Sequence, residues 1–258
     1  MLLHFFGTCA GTAPRPDRRH VSFAVELSGG LYWFDAGEGC SHTAHCMGVP
    51  LPRVRKVFLT HTHMDHVGGL ANLFWNIRKL THSRKTEKTD DVDLYIPNLE
   101  TWDGIWKILK NTEDGFKTSF SIRAHEVADG RLCDTPEIAV TALHNTHLRR
   151  TEGEPWRSFS YLIEAEGRRI VFSGDVGKPA DLEPFLRGGC DVLMMETGHH
   201  TVESVCGYLN QNGFSVGRLL FIHNGADVLR DVADAKRRIA ALYGKPFTIC
   251  EDATSLEV

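Results

Sequence analysis

The sequence has no CxxC pair, no apolar run approaching the roughly 18 residues that span a bilayer, and no excess of positive charge. Seven cysteines (Cys9, Cys40, Cys46, Cys133, Cys190, Cys206 and Cys250) are odd in number and widely scattered. That pattern suits neither a disulfide framework nor a zinc site of four thiolates, and most of them read as small buried hydrophobes. The opening MLLHFFGTCAGT lacks a basic n-region and a long apolar h-region, so it does not read as a signal peptide and the expected location is cytoplasmic. With 29 Lys+Arg against 33 Asp+Glu, the formal net charge is −4. The chain therefore lacks the basic footprint that holds long nucleic acid through counterion release, and any polyanion would have to be gripped locally.

What is present is a globular composition, 42% hydrophobic and 24% charged over 258 residues, with an unusual 14 histidines that point toward metal chemistry. Short apolar runs alternate with helical patterns, which predicts a mixed, layered α/β fold occupying residues 1–258 as one domain. Strands are expected at Leu2–Phe6, Val21–Leu27, Leu31–Phe34, Val57–Thr60, Ile138–Leu143, Phe159–Ala165, Ile170–Ser173, Val192–Met195 and Leu219–Ile222, with Gly29-Gly30 closing a hairpin. Leu99, Trp102, Ile105, Trp106 and Leu109 share one helical face. So do Val228, Val232, Ala235, Ile239 and Leu242, in a helix starting after Asp227 and stopping at Gly244. The polar stretch Thr81 to Asp91 is expected to be a solvated loop.

The chemistry concentrates in Thr60-His61-Thr62-His63-Met64-Asp65-His66, directly after the apolar Val57-Phe58-Leu59. Four metal-competent side chains within six residues are too many for one open catalytic site but suit two adjacent ions; imidazole and carboxylate donors fit zinc, manganese or iron. His144, Asp175, Glu196 and His223 each end an apolar run as well. In open α/β sheets the carboxyl ends of strands form one edge, where ligand sites assemble, so these distant residues are expected to converge.

With those residues the chain resembles the metallo-β-lactamase-fold hydrolases, and within them the branch of ribonuclease Z and small phosphodiesterases. The resemblance covers nearly the whole chain: Phe6-Gly7-Thr8-Cys9-Ala10-Gly11-Thr12, Phe34-Asp35-Ala36-Gly37-Glu38-Gly39, HxHxDH, His144, Ser173-Gly174-Asp175, Gly198-His199 and His223. It implies a four-layer αββα sandwich and two divalent ions, zinc as first guess. His61, His63 and His144 would hold one ion, Asp65, His66 and His223 the other, with Asp175 bridging. A hydroxide shared by the ions would be the nucleophile, Asp65 would orient it and accept its proton, and His199 would bind a phosphate oxygen or protonate the leaving group, with His200 a competitor for that role. Glu196 fits a position that orients a histidine, or serves as an acid at a helix N-terminus, and Asp35 fits one that buttresses the ligand loop. His42 and His45 are placed near the site at most. His4, His20, His82 and His125 read as surface or core histidines, and His147 as a loop residue able to reach the cleft.

The sequence departs from ribonuclease Z in one respect. The bacterial enzymes carry a long tRNA-clamping arm between the strand matching Phe159–Ala165 and the bridging aspartate, where this chain has only Glu166 to Gly174. It inserts instead His147 to Ser158, whose Arg149, Arg150, Trp156 and Arg157 offer cations and a stacking face to a phosphate ester, or form a solvated loop anchored by one Trp. The expected function is a dinuclear metal-dependent phosphodiesterase acting on a small-molecule or short nucleic-acid phosphodiester, with no membrane partner and a homodimer among its admissible states. The alternatives are carboxylic ester, thioester or lactone hydrolysis on the same site, and a non-catalytic metal-binding sensor.

Overall fold

Strands whose residues are apolar on both faces, rather than alternating, form the centre of each sheet. In a computed structural model, which describes residues 1–11, 14–84 and 90–258, the strands are β1 (Leu2–Gly7), β2 (Ser22–Leu27), β3 (Gly30–Phe34), β4 (Val54–Phe58), β5 (Val92–Ile96), β6 (Ile122–Glu126) and β7 (Gly130–Asp134). They continue with β8 (Ile138–His144), β9 (Phe159–Ala165), β10 (Arg168–Phe172), β11 (Cys190–Glu196), β12 (Val216–Ile222), β13 (Phe247–Ile249) and β14 (Thr254–Glu257). The helices are α1 (Cys40–Cys46), α2 (Met64–Val67), α3 (Leu70–Arg84), α4 (Leu99–Lys110), α5 (Glu183–Leu186), α6 (Val202–Asn212), α7 (Ala226–Arg230) and α8 (Val232–Tyr243). Among the described residues, no helix is long and apolar enough to cross a membrane.

The chain divides into two compact units, one of residues 1–7, 15–127 and 251–258, the other of residues 8–14 and 128–250. The first is built on a seven-stranded sheet of order β14-β1-β2-β3-β4-β5-β6. Its first four strands pair antiparallel, and β3 through β6 run parallel. On one face Phe6 stacks on Trp33 at 4.3 Å, and Leu31, Val57 and Leu59 pack with Leu70, Leu73, Phe74 and Ile77 of α3 and Trp102 of α4. Because side chains alternate along a strand, the neighbouring positions form an aromatic ladder on the other face: Phe5, Phe23, Phe34, Phe58 and Tyr95, with successive ring centroids 6.3, 5.0, 4.9 and 4.8 Å apart. Each such buried ring contributes about 1.5 to 3 kcal/mol of hydrophobic stabilisation.

The second unit repeats the plan in reverse, with order β13-β12-β11-β10-β9-β8-β7. The pairs from β7 to β10 are antiparallel and those from β10 to β13 parallel. Val171, Leu193, Met195, Leu219 and Phe221 pack with Val205, Cys206 and Leu209 of α6 and with Ala235, Ile239 and Tyr243 of α8. Since β8 and β10 are both antiparallel to β9, they run the same way, and the carboxyl ends of β8, β10, β11 and β12 lie on one edge of this sheet.

The expected α/β class is found, and the nine expected strands correspond to elements shifted by up to three residues at their ends. Unanticipated strands are β5, β6, β7, β13 and β14. The helix expected from Val228 to Leu242 is two helices, broken at Asp231, whose extended backbone (φ −150°, ψ 90°) lets its carboxylate cap α8 by accepting from the Asp234 N–H at 2.8 Å. The stretch Thr81 to Asp91, expected to be a loop, begins as the last turn of α3, and residues 85–89 lie outside the described residues, as does Thr12 of the expected N-terminal motif. All seven cysteines are free thiols, and all but Cys46 are buried as expected.

Candidate metal centre

In the first unit the HxHxDH segment leaves the carboxyl end of β4 in a turn that α2 closes. Gly37 and Gly69 let this turn sit tightly on the loop after β3: Ala36 N–H donates to the His66 carbonyl at 2.6 Å and Gly69 N–H to the Ala36 carbonyl at 2.7 Å. A Cβ at Gly69 would stand 2.2 Å from the Gly37 carbonyl oxygen, and one at Gly37 would stand 2.6 Å from that of Asp65.

Asp35, at the end of β3, holds the turn from beneath. It is fully buried and sits in left-handed backbone (φ 51°), a conformation a non-glycine residue adopts at a cost of about 1 to 3 kcal/mol. Its carboxylate accepts from the Thr60 N–H at 2.8 Å, from the Thr60 hydroxyl at 2.9 Å and from His66 Nδ1 at 2.8 Å. The Thr60 hydroxyl, donating to Asp35, accepts in turn from His61 Nδ1 at 3.1 Å. One carboxylate thus orients two buried imidazoles through their Nδ1 atoms, the arrangement in which a metal-binding histidine uses Nε2. The rings of His61 and His63 lie 4.6 Å apart, those of His61 and His66 4.0 Å, and His66 Nε2 is 3.4 Å from Asp65 Oδ2. An imidazole lone pair facing a carboxylate oxygen at that distance is the donor arrangement a dication satisfies, so these residues fit a metal.

In the second unit the edge formed by β8, β10, β11 and β12 gathers a second donor set around Asp175, which is 1% exposed. His223 Nδ1 lies 3.2 Å from Asp175 Oδ1, and His147 Nε2 and His199 Nδ1 each lie 3.7 Å from Oδ2. The rings of His147 and His199 meet edge to face at 4.8 Å. His223 has left-handed backbone (φ 53°), and Gly198 makes room for its ring: a Cβ there would be 2.7 Å from Nδ1 and Cε1.

The structure places His144 elsewhere than the sequence reading did. Asp129 binds both its backbone N–H, at 2.6 Å, and its Nδ1, at 2.5 Å, while Trp156 stacks on its ring at 4.1 Å with 13° between the planes. The histidine beside Asp175 is His147. Beyond the strand end the chain turns at Asn145, whose Oδ1 accepts from the His147 N–H at 3.1 Å and whose Nδ2 donates to the Ser160 hydroxyl at 3.1 Å. Thr146 is tied to Asp181 through its N–H at 2.9 Å and its hydroxyl at 2.8 Å. These tethers carry position 147, not 144, toward the carboxylate.

Glu196 at the end of β11 is fully buried and accepts from the His199 N–H at 2.8 Å, with its Oε1 3.2 Å from His199 Nδ1. Burial pushes its carboxyl up, but hydrogen bonds from His199 and His223 outweigh that and bring it down to about 2. The same hydrogen bond, working against burial, raises the His199 imidazole above its ordinary value. His199 remains 45% exposed, whereas His200 Nε2 donates to the Val176 carbonyl at 3.0 Å, which occupies that ring structurally. His42 faces Cys46 at 3.8 Å in α1, and His4 bridges Glu26 and Ser255. His125 packs against Tyr95 and pairs with Asp93.

The family model for the beta-lactamase superfamily domain matches residues 33–240. The chain belongs to that superfamily, in its ribonuclease Z-like branch. A ribonuclease Z of Methanopyrus kandleri is 30% identical over 81% of this chain and 78% of its own length; one of Shouchella clausii is 26% identical over 94% and 92%. The crystal structure of the short form of human tRNase Z matches the whole chain and 99% of its own with a TM-score of 0.69 at 19% identity, a likeness of fold. Members of this branch are metal-dependent hydrolases, and the two donor sets, with buried carboxylates behind their imidazoles, belong to that class.

Proposed function

We propose that the protein is a phosphodiesterase carrying two divalent ions per chain. The metal ligands in this reading are His61, His63, Asp65 and His66 from the first unit and His147, Asp175 and His223 from the second. Zinc is the first candidate, because mixed imidazole and carboxylate donors suit it, although the same donors also take manganese and iron. Asp175 beside the imidazoles of His147, His199 and His223 is the observation that carries the reading. When bound, such ions lower the pKa of a water to about 7 and take up charge developing on phosphoryl oxygens.

The chain's own residues supply the rest. Asp65 orients the attacking water and receives its proton at a carboxylate oxygen. His199, its Nδ1 side held by Glu196, presents its other edge to the substrate, where a charged imidazole binds a phosphate oxygen or protonates the leaving group. Two features support short phosphodiesters over a whole tRNA. Strands β9 and β10 are joined by Glu166-Gly167 alone, both in left-handed backbone (φ 49° and 73°), at the place where the bacterial ribonuclease Z arm rises. The chain's net charge of −4 adds no general attraction for a long polyanion.

The test is a turnover panel of bis(p-nitrophenyl) phosphate, a short oligoribonucleotide, a lactone and a thioester on protein whose metals are counted by elemental analysis. Hydrolysis of the phosphodiesters, with His199→Ala costing at least tenfold more on them than on any carbonyl ester, supports the reading. Turnover confined to the lactone or thioester replaces it with carbonyl ester hydrolysis.

A further inference from the structure

Four side chains of the second unit form a column beside the turn that carries His147. Asp129 grips His144, the His144 ring stacks on Trp156 at 4.1 Å, and the Arg150 guanidinium lies over the Trp156 ring, 4.9 Å from its centroid. An imidazole stacked nearly parallel covers one indole face, so the guanidinium occupies the other. The indole therefore has no open face for a nucleobase, and of the two readings of this loop the anchoring Trp is the one its contacts match. What the column presents outward is the arginine. Its Nε donates to the Glu154 carbonyl within the same loop, while Nη1 and Nη2 make no hydrogen bond or ion pair among the described residues, and the residue is exposed. Asn145 N–H donating to the Ser158 carbonyl at 3.0 Å closes the base of the loop.

A guanidinium with one edge fixed, one face on an aromatic ring and two nitrogens pointing outward is set for paired hydrogen bonds to a phosphate. Its ordering cost is met before a ligand arrives. Arg150 follows His147 by three residues, so their Cα atoms lie within about 11 Å of each other. A substrate with one phosphate at the His147–Asp175 cluster can therefore reach it only with an anion close by along the same molecule.

We propose that Arg150 is an anion-binding residue that recognises a second phosphate on the substrate, and that His144 and Trp156 are its positioning residues. This rests on the phosphodiesterase reading for the identity of the first phosphate, and it names the substrate class as nucleotides or oligonucleotides bearing a neighbouring phosphate. The column also accounts for His144 without a metal.

The proposal is tested by calorimetric titration of metal-loaded protein with uridine 3′,5′-bisphosphate and with uridine 5′-monophosphate. The wild type is expected to bind the bisphosphate at least tenfold more tightly. In Arg150→Ala that ratio should fall to about one, in Arg150→Lys to an intermediate value, and in Trp156→Ala to about one with metal content retained. A wild type without preference, or an Arg150→Ala ratio equal to that of the wild type, overturns it. Should Trp156→Ala not fold, the two arginine variants decide. A ratio that depends on Arg150 in a protein hydrolysing no phosphodiester would uphold the anion subsite while removing the phosphodiesterase reading, so the two fail separately.

Discussion

The Asp35 carboxylate accepts the Nδ1 proton of His66 at 2.8 Å, and neither side chain reaches solvent. Through Thr60 the same carboxylate orients His61. Asp35→Asn keeps the shape but offers an N–H where one of these donors needs an acceptor. The variant is expected to lose about 10- to 100-fold in metal affinity, read by competition with a chromophoric chelator, while keeping its far-ultraviolet circular dichroism.

His147 and His144 give a direct contrast. His147→Ala removes a donor beside Asp175 and is expected to lower the bound metal per chain and to reduce phosphodiester hydrolysis by at least 100-fold. His144→Ala should retain its metal, because the imidazole beside Asp175 is that of His147, while the His144 ring is stacked on Trp156. Elemental analysis of both purified variants checks this; equal metal loss in the two would contradict the assignment.

Gly198→Ala tests the space reserved for His223. The added Cβ would lie 2.7 Å from the imidazole, with the Ala10 Cβ at 3.0 Å behind it, so the ring must move. The expected outcome is a drop of at least tenfold in kcat on bis(p-nitrophenyl) phosphate with a melting temperature lowered by only a few degrees.

The pH dependence of stability has a marked contributor in the first unit. Burial raises the Asp93 carboxyl, but hydrogen bonds from Arg123, Lys56 and His125 outweigh it and hold it well below the usual carboxylate range. A depressed folded-state pKa gives stabilisation that is complete above the unfolded value of about 3.9 and is lost as the pH falls below it. The stability advantage of the wild type over Asp93→Asn in urea unfolding should therefore shrink by about 1 kcal/mol, allowing for solvent screening, between pH 6 and pH 3. An advantage that grows on acidification would contradict the assignment.

The legible and illegible parts of the sequence differ for physical reasons. HxHxDH is contiguous, so its clustering needs no tertiary knowledge, and Asp175, Glu196 and His223 follow apolar parallel strands whose ends must share an edge. The choice of His147 over His144 depends on Thr146 meeting Asp181 and Asn145 meeting Ser160, contacts between residues 35 and 15 positions apart that no local pattern announces. Strand β6 carries no sequence signal because its residues, Ile122 to Glu126, are mostly polar and largely exposed, with no apolar run among them. The break between α7 and α8 is silent in the sequence because apolar spacing continues across Asp231, where the backbone changes conformation to cap the next helix.

The central claim is that Asp175 is a metal-holding carboxylate on which phosphodiester hydrolysis depends. The most direct measurement is the number of divalent ions per chain in wild-type protein and in Asp175→Ala, by elemental analysis after identical loading and desalting, alongside hydrolysis of bis(p-nitrophenyl) phosphate. The account predicts two ions in the wild type, fewer than two in the variant, and a loss of hydrolysis of at least 1,000-fold, on the order of 4 kcal/mol of transition-state stabilisation. A variant that keeps both ions, or a wild type that takes up none, would contradict it.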